Sequence, residues 1–209
     1  MRKKVNKKME NQNNQPINKN KLFCILGQSA SGKSTIVDLL LKEINQQNLN
    51  IKQIQSSTTR KPREGELQDV DYHFTDLHTF DTLYKNGQIV EYATYKVNNE
   101  TWLYFTTKEQ MKVLEKSNGI KIVNPVGLAQ LRPYKKQIVT ILIDCPDEIR
   151  EQRYKIRGST THKWEDRKSK DDEDFKYLKC DYTVLNDGSR TLEEITQEVL
   201  NIINNEVVR

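Results

Sequence analysis

Apolar positions along the chain fall into two rhythms, short continuous runs and stripes spaced three or four residues apart. The run Leu22–Leu26 is apolar throughout and predicts a buried strand. Beyond a polar, glycine-containing stretch, Ile36, Val37, Leu39, Leu40, Leu41 and Ile44 recur with helical spacing and predict a helix from Lys33 to about Gln47. A short strand is expected over 51–55. Asp76 is placed to cap a helix over 76–84 that Gly87 stops. Residues 89–95 and 102–105 alternate as strands, 108–117 is helical and ends at Asn118-Gly119, and 120–123 and 138–143 read as strands. Pro146 opens a helix to about Arg157. Residues 158–174 are charged and almost free of aliphatics, 182–185 is a last strand, and Leu192, Ile195, Val199, Leu200, Ile202 and Ile203 form the apolar face of a closing helix.

Strands alternating with helices predict an α/β fold, a parallel sheet flanked by helices, with ligands beyond the carboxyl ends of the strands. Two stretches break the rhythm. Residues 1–20 are polar, rich in Asn and Gln, and read as a disordered basic tail. Residues 56–106, with Pro62, Gly65 and many charges, read as a small insert carrying its own sheet. The core is then 21–55 plus 107–209.

Composition adjusts this picture in two places. The chain of 209 residues is long enough for one domain with a sizeable core. Its net charge of +5 is local: Arg2, Lys3, Lys4, Lys7, Lys8, Lys19 and Lys21 against the single acid Glu10 give residues 1–21 a charge of +6, leaving −1 for the rest. A nearly neutral body argues against a nucleic-acid-binding domain. Cys24, Cys145 and Cys180 are scattered, which fits reduced thiols and a cytoplasmic protein better than disulfides or a zinc site. No run approaches a membrane span, and no signal peptide is expected.

The loop between the first strand and helix carries the chemistry. Gly27-Gln28-Ser29-Ala30-Ser31-Gly32-Lys33-Ser34-Thr35 fits G-x-x-x-x-G-K-[ST] in the strand–loop–helix context that this phosphate-binding P-loop needs. Its glycines let backbone N–H groups curl around an anion, and the following helix adds its positive end. Lys33 should reach the β- and γ-phosphates of a bound nucleoside triphosphate, and Ser34 should offer its hydroxyl to Mg²⁺. A second cluster, Ser56-Ser57-Thr58-Thr59-Arg60-Lys61-Pro62-Arg63-Glu64-Gly65-Glu66 followed by Asp71-Tyr72-His73-Phe74, offers two guanidinium forks and a phenol, which suits a second phosphate.

This cluster resembles the signature of the guanylate kinase family, T-[ST]-R-x-x-[KR] with a later Tyr-x-[Phe/Tyr], matched by Thr58, Thr59, Arg60, Arg63, Glu66, Tyr72 and Phe74. Gln88-Ile89-Val90-Glu91-Tyr92-Ala93, Tyr104-Phe105-Thr106, Arg157-Gly158, Arg167 and Val184-Leu185-Asn186-Asp187 resemble further family motifs, in the expected order over about 21–207. The resemblance implies a P-loop NTPase-type fold with a nucleoside-monophosphate-binding insert, 56–106, and a mobile lid at about 157–170. It implies ATP with Mg²⁺ as donor and GMP or dGMP as acceptor. Gly27, Ser29, Ala30, Ser31, Gly32, Lys33, Ser34, Thr35 and Asn186 would bind ATP. Arg60, Arg63, Tyr72 and Tyr104 would hold the acceptor phosphate, Ser56 and Glu91 would read the base, and Thr106 would complete the monophosphate-binding set. Lys33, Arg157 and Arg167 would act on the transferring phosphoryl group, with Arg153 a further lid candidate. Glu91 is suited to guanine, whose N1–H and exocyclic amine can both donate to one carboxylate.

Several positions depart from the family pattern. Asn124-Pro125-Val126 stands where the family has Asp-x-Asp, Asp69 where it has Gly, and Phe105 where Tyr-Gly-Thr has its Gly. Three readings stay open at this point: a guanylate kinase, a kinase of the same fold with another nucleoside or deoxynucleoside monophosphate as acceptor, or a non-catalytic guanylate-kinase-like binding module.

Overall fold

In the computed structural model, residues 20–97, 100–134, 137–156 and 163–208 are described. Arg157, the first part of the expected lid and residues 1–19 lie outside them. The chain runs β1 (Leu22–Leu26), α1 (Lys33–Gln46), β2 (Ile51–Gln53), β3 (Ser57–Thr58), β4 (His73–Phe74), α2 (Leu77–Lys85), β5 (Ile89–Val97), β6 (Glu100–Thr107), α3 (Lys108–Met111), β7 (Asn118–Ile122), α4 (Pro125–Gln130), β8 (Ile138–Asp144), α5 (Asp147–Ile156), α6 (Trp164–Phe175), β9 (Tyr182–Leu185) and α7 (Leu192–Val208).

Five strands form a parallel sheet in the order β2-β7-β1-β8-β9. Its central strand, β1, is buried on both faces, which is why its sequence is apolar without alternation. Phe23 and Ile25 join Ile36, Val37, Leu40 and Ile44 of α1 and Ile195, Val199, Leu200 and Ile203 of α7 in one core layer. Leu22, Cys24 and Leu26 face the opposite layer, with Ile54, Met111, Leu114, Val123 and Leu131. Each such side chain contributes about 1.5–3 kcal/mol on full burial, so the two layers hold the sheet and fix the loop that leaves β1.

A second sheet, ordered β4-β3-β6-β5, lies within residues 57–107. It packs Phe80 of α2 against Leu103 and Phe105. Asp76 caps α2 by accepting from the Thr79 N–H, as its sequence position predicts. β3 and β4 are two-residue strands that the loop-like composition of 56–75 conceals; β4 pairs parallel with β3, and β3 pairs antiparallel with β6.

Four boundaries differ from the sequence expectation. The helix expected over 108–117 is one α-turn, capped by Thr107 and Gln110, followed by a 3₁₀ turn at Lys112–Glu115. Asn118 and Gly119 begin β7 instead of ending a helix, because Gly119 pairs with Leu22 where a Cβ would collide with Ile54 and Leu114. Pro125 starts a helix, α4, with Asn124 as its cap. The charged stretch after 163 is helical, with Trp164 and Asp171 buried.

Candidate active site

The P-loop leaves the carboxyl end of β1 and enters α1 at Gly32, which takes φ +89° as the helix N-cap with no side-chain cap. A Cβ there would stand 2.5 Å from Asn186 Nδ2, so both conformation and space call for glycine. Ala30 also adopts a left-handed φ of +62°. The N–H groups of the first turn of α1 have no intrahelical acceptor and no capping oxygen, the arrangement that binds an anion. Ser31 Oγ is fully buried and has no hydrogen-bond partner among the described residues, a further sign of a loop shaped for a ligand. Lys33 Nζ lies 3.3 Å from Gln28 O. Ser34 and Thr35 are exposed at the start of the helix.

Side chains from distant segments brace this loop. Asn186, at the end of β9, is buried and donates to Ser31 O at 2.8 Å. Arg153 of α5 donates to Asn186 Oδ1 at 3.2 Å and approaches Ser31 O. Arg167 of α6 donates from Nε to Ser29 Oγ. Asp171, one turn further along α6, accepts from Ser29 N–H at 2.6 Å and faces Arg150 and Arg167. Arg150 is fully buried, stacks on Trp164 at 5.2 Å and pairs with Asp147. The hydrogen bonds from Lys168 and Arg150 hold the Asp147 carboxyl below the usual range. A carboxylate thus occupies one P-loop N–H that a phosphate oxygen could take.

The second cluster assembles on the smaller sheet. Arg60 is 4% exposed; its Nη1 and Nη2 donate to the two oxygens of Glu66 at 2.8 and 2.9 Å, and its Nε donates to Tyr104 Oη at 2.9 Å. Burial opposes the charge on Arg60, but the Glu66 and Tyr104 contacts prevail and raise its proton affinity further. Glu66 in turn accepts from the Arg63 N–H, leaving the Arg63 guanidinium exposed. Tyr72 packs edge-on to Tyr104 at 5.5 Å, under Arg60. Burial pushes the Tyr72 phenol up to about 12, so at neutral pH it remains a donor. Asp69 takes φ +62°, the conformation for which glycine is the default.

Alternation along β6 separates Tyr104 and Thr106 from Phe105. Phe105 is 1% exposed and meets Phe80 at 5.1 Å in the core of the smaller sheet, so it does not crowd the arginine–tyrosine cluster. A register shift in the β5–β6 ladder between Ile89 and Glu91 re-aims the strand, and Glu91 lies opposite Thr106. Glu91 is 5% exposed, accepts from Thr106 Oγ1 at 2.6 Å and stands 3.2 Å from Lys121 Nζ, which donates to Ser56 Oγ at 2.6 Å. Above it, Gly127 of α4 makes room: a Cβ there would stand 2.6 Å from Glu91 Oε2. Gln130 of α4 bonds both the N–H and the carbonyl of Tyr92, tying the β5 edge to the core.

The two centres meet at Tyr95. Its ring lies 5.4 Å from that of Tyr104 and 5.4 Å from the Arg167 guanidinium, and its hydroxyl accepts from Asn124 Nδ2 at 2.8 Å. Asn124 Oδ1 accepts from the Gly127 N–H. Both ends of Asn124 are therefore committed to the scaffold, while Val126 is half-exposed on α4. Of the residues expected from sequence, the structure gathers Ser29, Ala30, Ser31, Gly32, Lys33, Ser34, Arg167 and Asn186 at one loop, and Arg60, Tyr72 and Tyr104 at a second place. Ser56, Glu91 and Thr106 share a third cluster.

Sequence reasoning missed Lys121, Tyr95, Arg150 and Asp171. Lys121 left one trace, a charged residue inside an apolar strand; the other three have no local signal. Among the described residues, no group of three or more His, Cys, Asp or Glu could hold a metal ion, and no helix is long and apolar enough to cross a membrane. The exposed Ser34 hydroxyl fits a metal that arrives with a triphosphate and takes most of its oxygens from it.

Residues 19–206 match the family model described as Guanylate kinase. The guanylate kinase of Rickettsia prowazekii is 35% identical over 192 residues, covering 88% of this chain and 92% of that protein. That of Clostridioides difficile is 32% identical over 199 residues, covering 92% and 93%. The crystal structure of guanylate kinase from Anaplasma phagocytophilum shares the fold with a TM-score of 0.63 at 23% identity, covering 91% of this chain and 87% of that one.

Proposed function

The chain belongs to the guanylate kinase family, and we propose that it phosphorylates GMP with ATP, giving GDP and ADP, through the residues gathered at the P-loop and on the smaller sheet. The family relatives make it a nucleoside monophosphate kinase and leave the binding-module reading unsupported. The observation that carries the residue assignment is the junction at Tyr95, which joins the P-loop side, through Arg167, to the arginine–tyrosine cluster, through Tyr104. Tyr95 thus brings a P-loop-side arginine and an acceptor-side tyrosine to one junction, where a donor and an acceptor phosphate could meet.

In this reading Gly27, Ser29, Ala30, Ser31, Gly32, Lys33, Ser34, Thr35 and Asn186 form the ATP side. Arg60, Arg63, Tyr72 and Tyr104 hold the acceptor phosphate; Arg60 supplies the N–H left over from its bonds to the described residues, and Arg63 its exposed fork. Glu91, Ser56 and Thr106 face the base. Phosphoryl transfer needs positioning and charge neutralisation more than covalent help. Lys33 and Arg167 supply positive charge at the transferring group, and Arg157 joins them on the strength of the family motif. Bound with ATP at Ser34, Mg²⁺ would neutralise charge on the phosphate oxygens. Residues 56–106 act as the acceptor-binding unit and about 157–170 as the lid. Three unpaired cysteines support a reducing compartment, the cytoplasm, as the reaction's setting.

The test is a panel. Purified protein with Mg-ATP is offered GMP, dGMP, AMP, CMP, UMP and dTMP while ADP formation is followed. GMP should turn over best. Preference for another monophosphate would replace the acceptor assignment, and ATP binding without any turnover would revive the binding-module reading.

A further inference from the structure

Lys121 sits in the middle of β7, directly beside Cys24 of β1, with 1% of its surface exposed. Parallel strands buried on both faces are ordinarily apolar, and a lysine at such depth needs partners. Its recorded partners are Ser56 Oγ at 2.6 Å and Glu91 Oε1 at 3.2 Å. Neither is a neighbour in sequence: Ser56 precedes β3 and Glu91 lies on β5. The lysine therefore reaches out of the core sheet into the wall where the base is read.

The consequence follows from donor and acceptor counting. An ammonium only donates, so Ser56 Oγ accepts from Lys121, and the single hydroxyl proton of Ser56 has to be given to something else. Glu91 Oε1 is engaged twice, by Lys121 and by the Thr106 hydroxyl. Its partner Oε2 lies over Gly127 and has no hydrogen bond among the described residues. Lys121 takes up one of the two acceptor positions of Ser56 Oγ and so turns the wall toward one donor, the Ser56 hydroxyl, beside one acceptor, Glu91 Oε2. Without the lysine, the Ser56 hydroxyl could rotate and serve as either.

We propose that Lys121 is a specificity-positioning residue of the acceptor site, which locks Ser56 as donor and Glu91 as acceptor and so selects a 6-oxopurine with donors at N1 and C2 over a 6-aminopurine. This rests on the reading that Ser56 and Glu91 face the base. A 6-oxopurine offers an acceptor to Ser56 and donors to Glu91. A 6-aminopurine offers a donor and a lone pair, so both contacts are mispaired. Lys121 touches neither base nor phosphate and acts through its two partners.

The experiment compares wild type with Lys121→Met and Lys121→Gln under Mg-ATP, measuring kcat and KM for GMP, AMP and ATP and the thermal midpoint of each protein. For Lys121→Met, the ratio of kcat/KM for GMP over AMP should fall at least about tenfold, mainly through KM for GMP, while KM for ATP stays within about twofold. Lys121→Gln, which still has donors, should keep part of the selectivity. An unchanged ratio, or equal losses for GMP and ATP, would overturn the proposal. So would failure of both variants to fold, which would make the lysine a scaffold partner only. The functional reading is judged separately, on whether the wild type turns over GMP in preference to AMP at all.

Discussion

The P-loop and the wall around Glu91 do related work with opposite materials. The P-loop is nine consecutive residues whose working groups are mostly backbone N–H, so its geometry comes from left-handed positions such as Gly32 and Ala30. The wall is built from side chains of β5, β6, β7 and the segments on either side of β3, and it is paired internally: Glu91 with Lys121 and Thr106, Arg60 with Glu66. The wall's pairs can stay in place when a ligand arrives. The loop instead gives Ser29 N–H to the carboxylate of Asp171, a contact a phosphate oxygen would contest. One half is prepared by satisfaction, the other by a replaceable stand-in.

The difference predicts where single substitutions do most harm. Lys33→Ala removes the one side-chain cation within the loop itself, and turnover of GMP should fall by on the order of 10³-fold or more. GMP binding, measured by calorimetry without ATP, should be unchanged. A matching loss of GMP affinity would break the division into two halves. Glu91→Gln acts on the other half. Replacing the acceptor carboxylate should lower kcat/KM for GMP by roughly 10–100-fold, with little change in ATP affinity. Lys121 is left buried without its counter-charge, so the thermal midpoint should also drop. Loss of ATP affinity equal to that for GMP would remove Glu91 from the base-reading role.

The same contrast explains what could be read from the sequence. A site made of consecutive backbone groups leaves a local motif, and the P-loop with its flanking strand and helix was legible in full. The parallel core was legible too, because β1, β8 and α7 each carry an unambiguous apolar rhythm. A site made of side-chain pairs leaves no local trace. Glu91 could be picked only through family resemblance, and Lys121, its partner 30 positions on, appears as one charge in an apolar run. Asn124 has a related explanation: at a place where the family pattern has an acid, its amide caps α4 and holds Tyr95. Phe105 stands where the family pattern has Gly, and strand alternation turns it into the core of the smaller sheet. The short strands β3 and β4 were hidden because pairing, not composition, makes them.

Asp171 gives a smaller and more discriminating test. If its carboxylate is a stand-in for phosphate, Asp171→Asn keeps an oxygen for Ser29 N–H but removes a negative charge that repels the triphosphate. KM for ATP should fall by roughly threefold, the scale of a modest charge contact. KM for GMP should be untouched. Arg150, fully buried, loses one of its two carboxylates and retains Asp147, so the thermal midpoint should fall by a few degrees. A rise in KM for ATP would mean that Asp171 instead positions Arg150 and Arg167 for the donor nucleotide, and the loop would then be as pre-paired as the wall.

The smallest effect concerns the other internal pair, and its sign is fixed by linkage. Burial tends to raise the Glu66 carboxyl, but the Arg60 hydrogen bonds, the Arg63 N–H and both guanidinium charges bring it below its ordinary 4.5. A carboxyl lowered on folding stabilises the fold above its unfolded value, and that stability is lost as pH falls through the lower folded value. Wild-type protein should therefore lose stability progressively below about pH 4.5. Glu66→Gln should lower the thermal midpoint by roughly 3–6 °C at pH 7 and show a shallower loss in acid. If the pair is a permanent part of the wall, saturating GMP should raise the midpoints of both proteins by similar amounts, since Arg60 keeps its Tyr104 contact. A variant that GMP no longer stabilises would show that Glu66 sets the orientation of Arg60 toward the acceptor phosphate as well as its charge.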